Sequence, residues 1–251
     1  MRKIFAFLCA LSFAVQFNLL SAQTTVMKVW KDGSATLIPT ADVDSVTFVS
    51  TPIHLINGHK FVDLGLPSGL LWAETNIGAK TAADEGGYFA WGETTTKSNY
   101  SWNTYKYGSS ASNLTKYNST DGKTVLENAD DAAYVNWGDS CRMPTKAEFE
   151  EILDSTNCTW TWSCQINSSG NSVNGYKVVS KKNGNSIFFP ALGYRSGDDF
   201  KYHGSHGSSW LSTLSMSDVF DAYFLYFYAN YHSTYCNYRY AGHTIRPVAR
   251  P

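Results

Sequence analysis

Residues 142–153 read RMPTKAEFEEIL and contain the strongest helix signal in this sequence. Thr145 and Glu148 have the spacing of a capping box, in which the hydroxyl accepts from an early amide and the Glu side chain reaches back to the cap. Phe149, Ile152 and Leu153 fall on one face of the resulting helix. We therefore predict a helix over residues 146–154 that packs against a β-sheet.

Strand signals lie on both sides of this helix. Residues 61–73 read as two short strands around a Pro-Ser-Gly turn, and residues 176–180 and 187–192 as a hairpin around KNGN. Further strands are predicted at 210–214, 222–228 and 244–248, with a second short helix at 128–137 and loops at 84–125 and 193–209. These elements predict an α+β fold.

The N-terminal part of the chain has a different pattern. A positive start, an apolar run over residues 4–15 and a small-residue site at 20–22 predict a signal peptide over residues 1–22. Residues 23–52 read as a small β module, with a turn at 31–33 and a strand at 45–49. Residues 58–251 are predicted to form the main domain, and no later stretch is long enough for a membrane span.

Composition narrows the class of protein. The chain has 251 residues, of which 43% are hydrophobic, 16% charged and 15% aromatic, so disorder, a coiled coil and a collagen-like rod are excluded. The net charge of −1 gives no support for nucleic acid or an anionic membrane as a partner. Low charge with many Gly, Ser, Asn, Thr, Tyr and Trp residues indicates a β- and loop-rich domain outside the cytoplasm.

Four cysteines follow the predicted leader: Cys141, Cys158, Cys164 and Cys236. An even count in an exported chain permits disulfides. Cys158 and Cys164 flank TWTWS, which reads as a short loop or hairpin that a disulfide could close, and Cys141 could then pair with Cys236. Four free or partly paired thiols remain the alternative.

The usual signatures of catalysis and cofactor binding are absent from the sequence. It contains no HExxH, P-loop, GxGxxG, GxSxG or CxxC motif. His203 and His206 have a metal-ligand spacing, but they lie in a Gly/Ser-rich segment without a third ligand, so exposed loop histidines are the better interpretation. We predict no enzymatic activity, no cofactor and no metal.

Four stretches together resemble a known family: VDLGLPSGLLWAETNI at 62–77, RMPTKAEFEEIL at 142–153, FFPALGYR at 188–195 and IRPV at 245–248. They are similar to the Fibrobacter succinogenes major paralogous domain, which is related to the C-type-lectin-like fold, and the resemblance covers roughly residues 58–250. It implies a C-type-lectin-like binding scaffold. The calcium-binding Gln-Pro-Asp, Glu-Pro-Asn and Trp-Asn-Asp motifs of lectins are missing, so calcium-mediated sugar binding is not implied.

The RMPT segment is also similar to formylglycine-generating enzymes. Those enzymes need two closely spaced C-terminal cysteines, and only Cys236 lies in that region here.

The last part of the chain is unusual in composition. Residues 217–251 contain no Lys, Glu, Gln, Trp or Met, the five residues that an AAC codon randomised at its adenines cannot encode. This bias resembles the variable segments of retroelement-diversified proteins, and the abundant Tyr resembles an antibody paratope. We expect residues 223–228 to be core and residues 230–240 to be exposed. The candidate ligand-binding residues are Asp218, Asp221, Tyr231, His232, Tyr235, Asn237, Tyr238 and Tyr240.

These observations predict an exported, adhesin-like protein at the cell surface or outside the cell, whose ligand is a surface protein or a glycan. Two alternatives stay open at this point. One is a structural subunit at the tip of a surface fibre, assembled through the N-terminal β module. The other is an enzyme related to the formylglycine-generating enzymes.

Overall fold

The computed structural model describes residues 25–31, 34–43 and 54–251. The chain divides into two units, Met1–Thr51 and Pro52–Pro251. The predicted signal peptide, the turn residues 32 and 33 and the predicted strand at 45–49 lie outside the described residues.

The first unit contains an antiparallel hairpin. Strand β1 (Val26–Lys31) pairs with β2 (Ser34–Pro39), with Val26 opposite Pro39 and Lys31 opposite Ser34. A 3-10 turn at Thr40–Asp42 follows, and the amide of Thr40 donates to the carbonyl of Thr25. An isolated two-stranded hairpin is marginally stable by itself in water.

The second unit is built mainly from strands. In chain order its elements are β3 (His54–Ile56), β4 (His59–Asp63), β5 (Leu71–Ala73), α1 (Ala132–Trp137), β6 (Cys141–Arg142), α2 (Lys146–Leu153), β7 (Cys158–Ile166), β8 (Ser172–Ser180), β9 (Ser186–Pro190), β10 (Tyr194–Ser196), β11 (Asp199–Lys201), β12 (His206–Leu214), β13 (Asp221–Tyr228), β14 (Tyr231–Tyr238) and β15 (Val248–Ala249). Short 3-10 turns lie at Trp102–Thr104 and Asn128–Asp130.

The strands of this unit form four antiparallel sheets. The five-stranded sheet has the order β3-β4-β5-β15-β6, and its last strand in the chain, β15, is inserted between two early ones. Strands β7-β8-β9 and β12-β13-β14 form two three-stranded meanders, and β10-β11 is a two-stranded hairpin. The C-terminal residues therefore close the sheet that the first residues of the unit begin.

The predicted α+β class is wrong, because the architecture is closer to all-β. Helices α1 and α2 have only 6 and 8 residues, whereas β7, β8 and β12 have 9 residues each. Residues 193–209, expected to be loop, contain the β10-β11 hairpin and the start of β12. The capping box at α2 is a strong signal for one helix. It carries no information on how much of the remaining chain forms strands, and the fold class depends on that strand content.

Helix α2 itself is confirmed. The amide of Glu148 donates to Thr145 Oγ1 and the amide of Thr145 donates to the Glu148 carboxylate, so both halves of the capping box form. Phe149 and Ile152 are fully buried, and the Phe149 ring lies 5.4 Å from that of Trp72. The β8-β9 hairpin is confirmed as well, with Val179 opposite Ser186.

Other predicted elements are displaced. Helix α1 begins at Ala132 instead of residue 128, because Asp131 caps it by accepting from the amides of Ala133 and Tyr134. Only Val248–Ala249 forms a strand near the predicted segment 244–248. The structure also contains β14, a strand of eight residues for which no separate strand was predicted.

The β12-β13-β14 sheet is packed on both sides. Trp210 and Phe224 belong to one apolar cluster, whereas Leu211, Leu225 and Phe227 belong to another. Successive residues of a strand point to opposite faces, so β13 contributes to both clusters. This two-sided packing fixes β13 and leaves its neighbour β14 at the edge of the sheet.

Candidate functional site: an aromatic face on the C-terminal sheet

Strand β14 presents tyrosines from the edge of the sheet. Tyr231 and Tyr235 are four residues apart and therefore share one side of the strand. Tyr231 is 38% exposed and Tyr235 is 62% exposed, whereas Phe224, which lies opposite Tyr235 on β13, is buried. The composition of the two strands is similar, and their position in the sheet decides which aromatic rings reach solvent.

Strand register assembles the rings into a row. His206 of β12 lies opposite Tyr228 of β13, and Tyr228 lies opposite Tyr231 of β14. The ring centroids of His206 and Tyr228 are 5.2 Å apart, and those of Tyr228 and Tyr231 are 5.4 Å apart in a stacked arrangement. Tyr202 extends the row from the turn after β11, with its ring 4.7 Å from that of His206.

We call this surface the tyrosine face. Its members are all aromatic, and none is Lys, Arg, Asp or Glu: Tyr194, Tyr202, His206, Tyr226, Tyr228, Tyr231 and Tyr235. Tyr202 is 57% exposed and Tyr228 is 39% exposed. The hydroxyls of Tyr202, Tyr228, Tyr231 and Tyr235 make no hydrogen bond with the described residues. These hydroxyls are therefore available to a ligand.

His232, a predicted ligand residue, is on the opposite side of β14. Its ring stacks on Trp160, with centroids 4.7 Å apart and planes within 9°, and meets the edge of Tyr176. Burial lowers the pKa of His232, which favours the neutral imidazole. Trp160 and His232 line a cavity of about 210 Å³ that is separate from the tyrosine face.

Asn237, Tyr238 and Tyr240 lie toward the other end of β14. The side-chain amide of Asn237 is 3.0 Å from Nε2 of His243, a buried ring whose pKa burial lowers to about 3. Asn237 therefore serves as a partner for a buried neutral histidine. Tyr238 and Tyr240 stack on each other, and Trp102 packs edge-on against both.

The two predicted acidic residues differ in their surroundings. Asp218 is exposed, and its amide donates to Ser215 Oγ. Asp221 is half-buried, and its Oδ1 has no hydrogen-bond partner in the structure. Burial, and then the charge of Asp218, raises the pKa of Asp221 to about 6. Within the described residues, no three His, Cys, Asp or Glu side chains are grouped so as to hold a metal ion.

The four cysteines of the described residues, Cys141, Cys158, Cys164 and Cys236, are free thiols. Cys158 and Cys164 lie on one continuous strand, β7, so the predicted loop or hairpin between them is wrong. Six residues of extended chain place their Cα atoms roughly 20 Å apart, far beyond the reach of a disulfide. Cys141 is in the five-stranded sheet and Cys236 is in the C-terminal one. Burial raises the pKa of both thiols, which disfavours the reactive thiolate.

Several members of the tyrosine face are not among the binding residues that the sequence predicts. The sequence places Tyr226 and Tyr228 in a predicted core segment, residues 223–228, because Leu225 and Phe227 alternate with Phe224 and Tyr226. Tyr194, Tyr202 and His206 belong to segments without a clear period. One usable signal was present: residues 229 and 230 separate the β13 and β14 runs, and a two-residue connection is typical of a hairpin.

Comparison with known proteins gives no relative. No family model, no curated protein and no solved structure matches this chain. Neither α-helix of the described residues has the length and the apolar run that crossing a bilayer requires.

Proposed function

We propose that this chain is an exported, adhesin-like binding protein whose tyrosine face contacts a protein on a cell surface. The observation that carries this proposal is the row of exposed rings from Tyr202 through Tyr228 to Tyr231 and Tyr235, whose hydroxyls bond to none of the described residues. The rings stand side by side on neighbouring strands and form an extended aromatic surface, which suits contact with another protein.

Tyrosine is suited to this role for physical reasons. Its ring supplies a large apolar contact at the entropy cost of only two side-chain torsions, and its hydroxyl adds a directional hydrogen bond. Tyr is enriched in the cores of protein interfaces, where charged residues are depleted. A few such anchors carry most of the binding energy. The members of the tyrosine face have this composition.

The proposal includes export and excludes a catalytic step. Export rests on the signal-peptide pattern of residues 1–22, and mass spectrometry of the mature N-terminus tests it. The formylglycine-generating alternative needs two neighbouring reactive thiols. Against it stand the raised thiol pKa values of Cys141 and Cys236 and their location in different sheets.

One observation favours the fibre-subunit alternative as a second candidate. The N-terminal hairpin exposes Val26, Val29 and Leu37, each at least 43% accessible. Exposed apolar side chains on a two-stranded hairpin are suited to pairing with another copy. Sedimentation of wild type and of the Leu37→Ser variant tests this candidate: an assembly that dissociates in the variant supports it, and a monomeric wild type contradicts it.

The main proposal is tested on an array of extracellular proteins probed with the purified mature chain. Tyr231→Ser combined with Tyr235→Ser is expected to abolish binding to the proteins that the wild type captures. Ile166→Ser is a matched control, because Ile166 is 63% exposed and lies outside the tyrosine face. Equal binding by wild type and the double variant would contradict the proposal.

A further inference from the structure

A second feature lies at the other end of β14, beside Tyr240. Ser101, Trp102, Asn103, Ser196 and Tyr240 line an open groove of about 270 Å³. The groove joins the 3-10 turn Trp102–Thr104 to the β10-β11 hairpin and to the residue pair that follows β14. Typical sites for drug-sized molecules have volumes of about 300–1,000 Å³, and this groove is smaller. The groove therefore has room for a single ring of a longer ligand.

Two aromatic rings form a corner in this groove. The Trp102 and Tyr240 centroids are 5.0 Å apart and their planes are inclined at 64°. Tyr240 is supported from behind by stacking on Tyr238, and Trp102 packs against the buried ring of Tyr105. The rings are therefore held in place before any ligand arrives, which lowers the entropy cost of binding.

The polar groups of the groove are neutral and partly unused. Asn103 is exposed, and neither its side-chain amide nor the indole N–H of Trp102 bonds to the described residues. Ser101 Oγ donates to Asn99 Oδ1 and accepts from the backbone of Thr104 in the capping box of this turn, which leaves one lone pair on its oxygen. Ser196 and Tyr240 share a hydrogen bond. No charged side chain lines the groove.

We propose that this groove binds one ring of a neutral saccharide. A sugar ring has an apolar C–H face that packs on an aromatic ring, and a rim of hydroxyls that both donate and accept hydrogen bonds. Trp102 and Tyr240 supply the aromatic surface, and Asn103 with Ser101 supplies neutral donors and acceptors at its edge. An acidic saccharide would place a carboxylate or sulfate among lining residues that carry no positive charge.

This inference goes beyond the proposed function, because it concerns a different ligand class and none of the groove-lining residues belongs to the tyrosine face. The two ideas can fail separately. Loss of protein binding in the Tyr231→Ser, Tyr235→Ser variant tests the tyrosine face alone. Variants at Trp102 and Asn103 test the groove alone.

The test begins with the full mature chain on an array of neutral hexasaccharides of glucose, mannose, xylose and N-acetylglucosamine. Oligogalacturonate and sulfated galactan oligosaccharides serve as acidic probes on the same array. Binding to at least one neutral probe is expected. Binding of acidic probes alone, or of no probe at all, overturns the proposal.

Calorimetry with the strongest neutral probe then locates the site. Trp102→Ala is expected to weaken binding about tenfold or more, and Asn103→Ala about threefold. Asn103 is exposed and without a side-chain partner, so its replacement keeps the fold intact even if Trp102→Ala does not. Tyr235→Ser is the control and should change the affinity less than twofold. Two outcomes overturn the assignment. In the first, Asn103→Ala and a folded Trp102→Ala protein both bind with unchanged affinity. In the second, Asn103→Ala leaves the affinity unchanged and Tyr235→Ser weakens binding more than the groove variants do.

Discussion

Two groups of tyrosines in this molecule have opposite surroundings. The first, which we call the buried tyrosine cluster, is Tyr88, Tyr100, Tyr105, Tyr107 and Tyr117, all 7% exposed or less. Each of their hydroxyls donates to a specific acceptor, such as Asp130 for Tyr107 and Tyr117 or the Trp91 carbonyl for Tyr105. In the tyrosine face, the hydroxyls of Tyr202, Tyr228, Tyr231 and Tyr235 have no such acceptor among the residues that the structure describes. Both groups consist of the same residue type. What distinguishes a tyrosine that stabilises the fold from one that is free to bind is whether its hydroxyl has a hydrogen-bond partner.

Two carboxylates extend the comparison. Asp130 accepts from Tyr107, Tyr117 and Lys116, and these donors lower its pKa to about 2 against the opposing effect of burial. Asp221, beside the end of β14, has an unpartnered Oδ1 and a raised pKa. Both oxygens of Asp130 therefore have hydrogen-bond donors, whereas Oδ1 of Asp221 has none among the described residues.

The largest effect is expected at Arg239, which joins the buried tyrosine cluster to the C-terminal residues. Its fully buried guanidinium donates to the Tyr105 hydroxyl and to the carbonyls of Tyr117, Val219 and Lys116. Arg239→Met leaves these acceptors unpaired and should lower the free energy of unfolding by roughly 3–5 kcal/mol, measured by chemical denaturation.

Arg250→Met provides the control for this change, because Arg250 is exposed near the end of the chain. Its effect should stay within about 0.5 kcal/mol. Similar losses in both variants would contradict the role given to Arg239.

The second prediction concerns Asp130 and acid. Because the folded-state pKa is about 2, below the ordinary value of 3.8, its contribution is fully present above about pH 4 and is lost as pH falls toward 2. Between pH 5 and pH 2, the free energy of unfolding of Asp130→Asn should therefore fall by about 2 kcal/mol less than that of the wild type. Asp139→Asn, at an exposed position, should leave that pH dependence unchanged. A wild-type pH profile in Asp130→Asn would show the prediction to be wrong.

The third prediction compares one hydroxyl from each group. Tyr117 donates to Asp130 Oδ2 and accepts from the amide of Glu127, so Tyr117→Phe should cost about 1.5 kcal/mol of stability. Tyr231→Phe removes a hydroxyl that has no partner among the described residues and should cost less than about 0.5 kcal/mol. Thermal unfolding of the two single variants measures the difference, and equal losses would remove the distinction between the groups.

The smallest expected change is a gain at Asp221. Its folded-state pKa of about 6 exceeds the ordinary 3.8, so its charge destabilises the fold above that pH, and stability rises as pH falls from 7 toward 4. Asp221→Asn should stabilise the protein by about 1 kcal/mol at pH 7, after allowance for solvent screening, and by nothing near pH 4. Asp218→Asn should give a smaller gain, because it removes only the neighbouring charge. A loss of stability in Asp221→Asn at pH 7 would contradict this assignment.

Local signals explain which parts of this structure could be predicted from the sequence. The capping box at Thr145 and the KNGN turn at 182–185 act within a few residues, and both elements form as predicted. The fold class and most of the tyrosine face depend on strand register across distant segments, such as His206 opposite Tyr228. Strand register is set by how both faces of a sheet pack. An aromatic run such as that of β13 does not show which side chains will point to which face. Exposure of Tyr231 and Tyr235 was predicted, but the side on which His232 points was not.

The central claim is that the exposed tyrosines serve recognition and not stability. One binding titration tests it most directly. An extracellular protein selected on the array is titrated into the wild type and into the triple variant Tyr228→Ser, Tyr231→Ser, Tyr235→Ser. Calorimetry first shows that the triple variant is folded. The account predicts at least a hundredfold loss of affinity with the free energy of unfolding lowered by about 1 kcal/mol or less. Unchanged affinity, or a triple variant destabilised by about 3 kcal/mol or more, would contradict it.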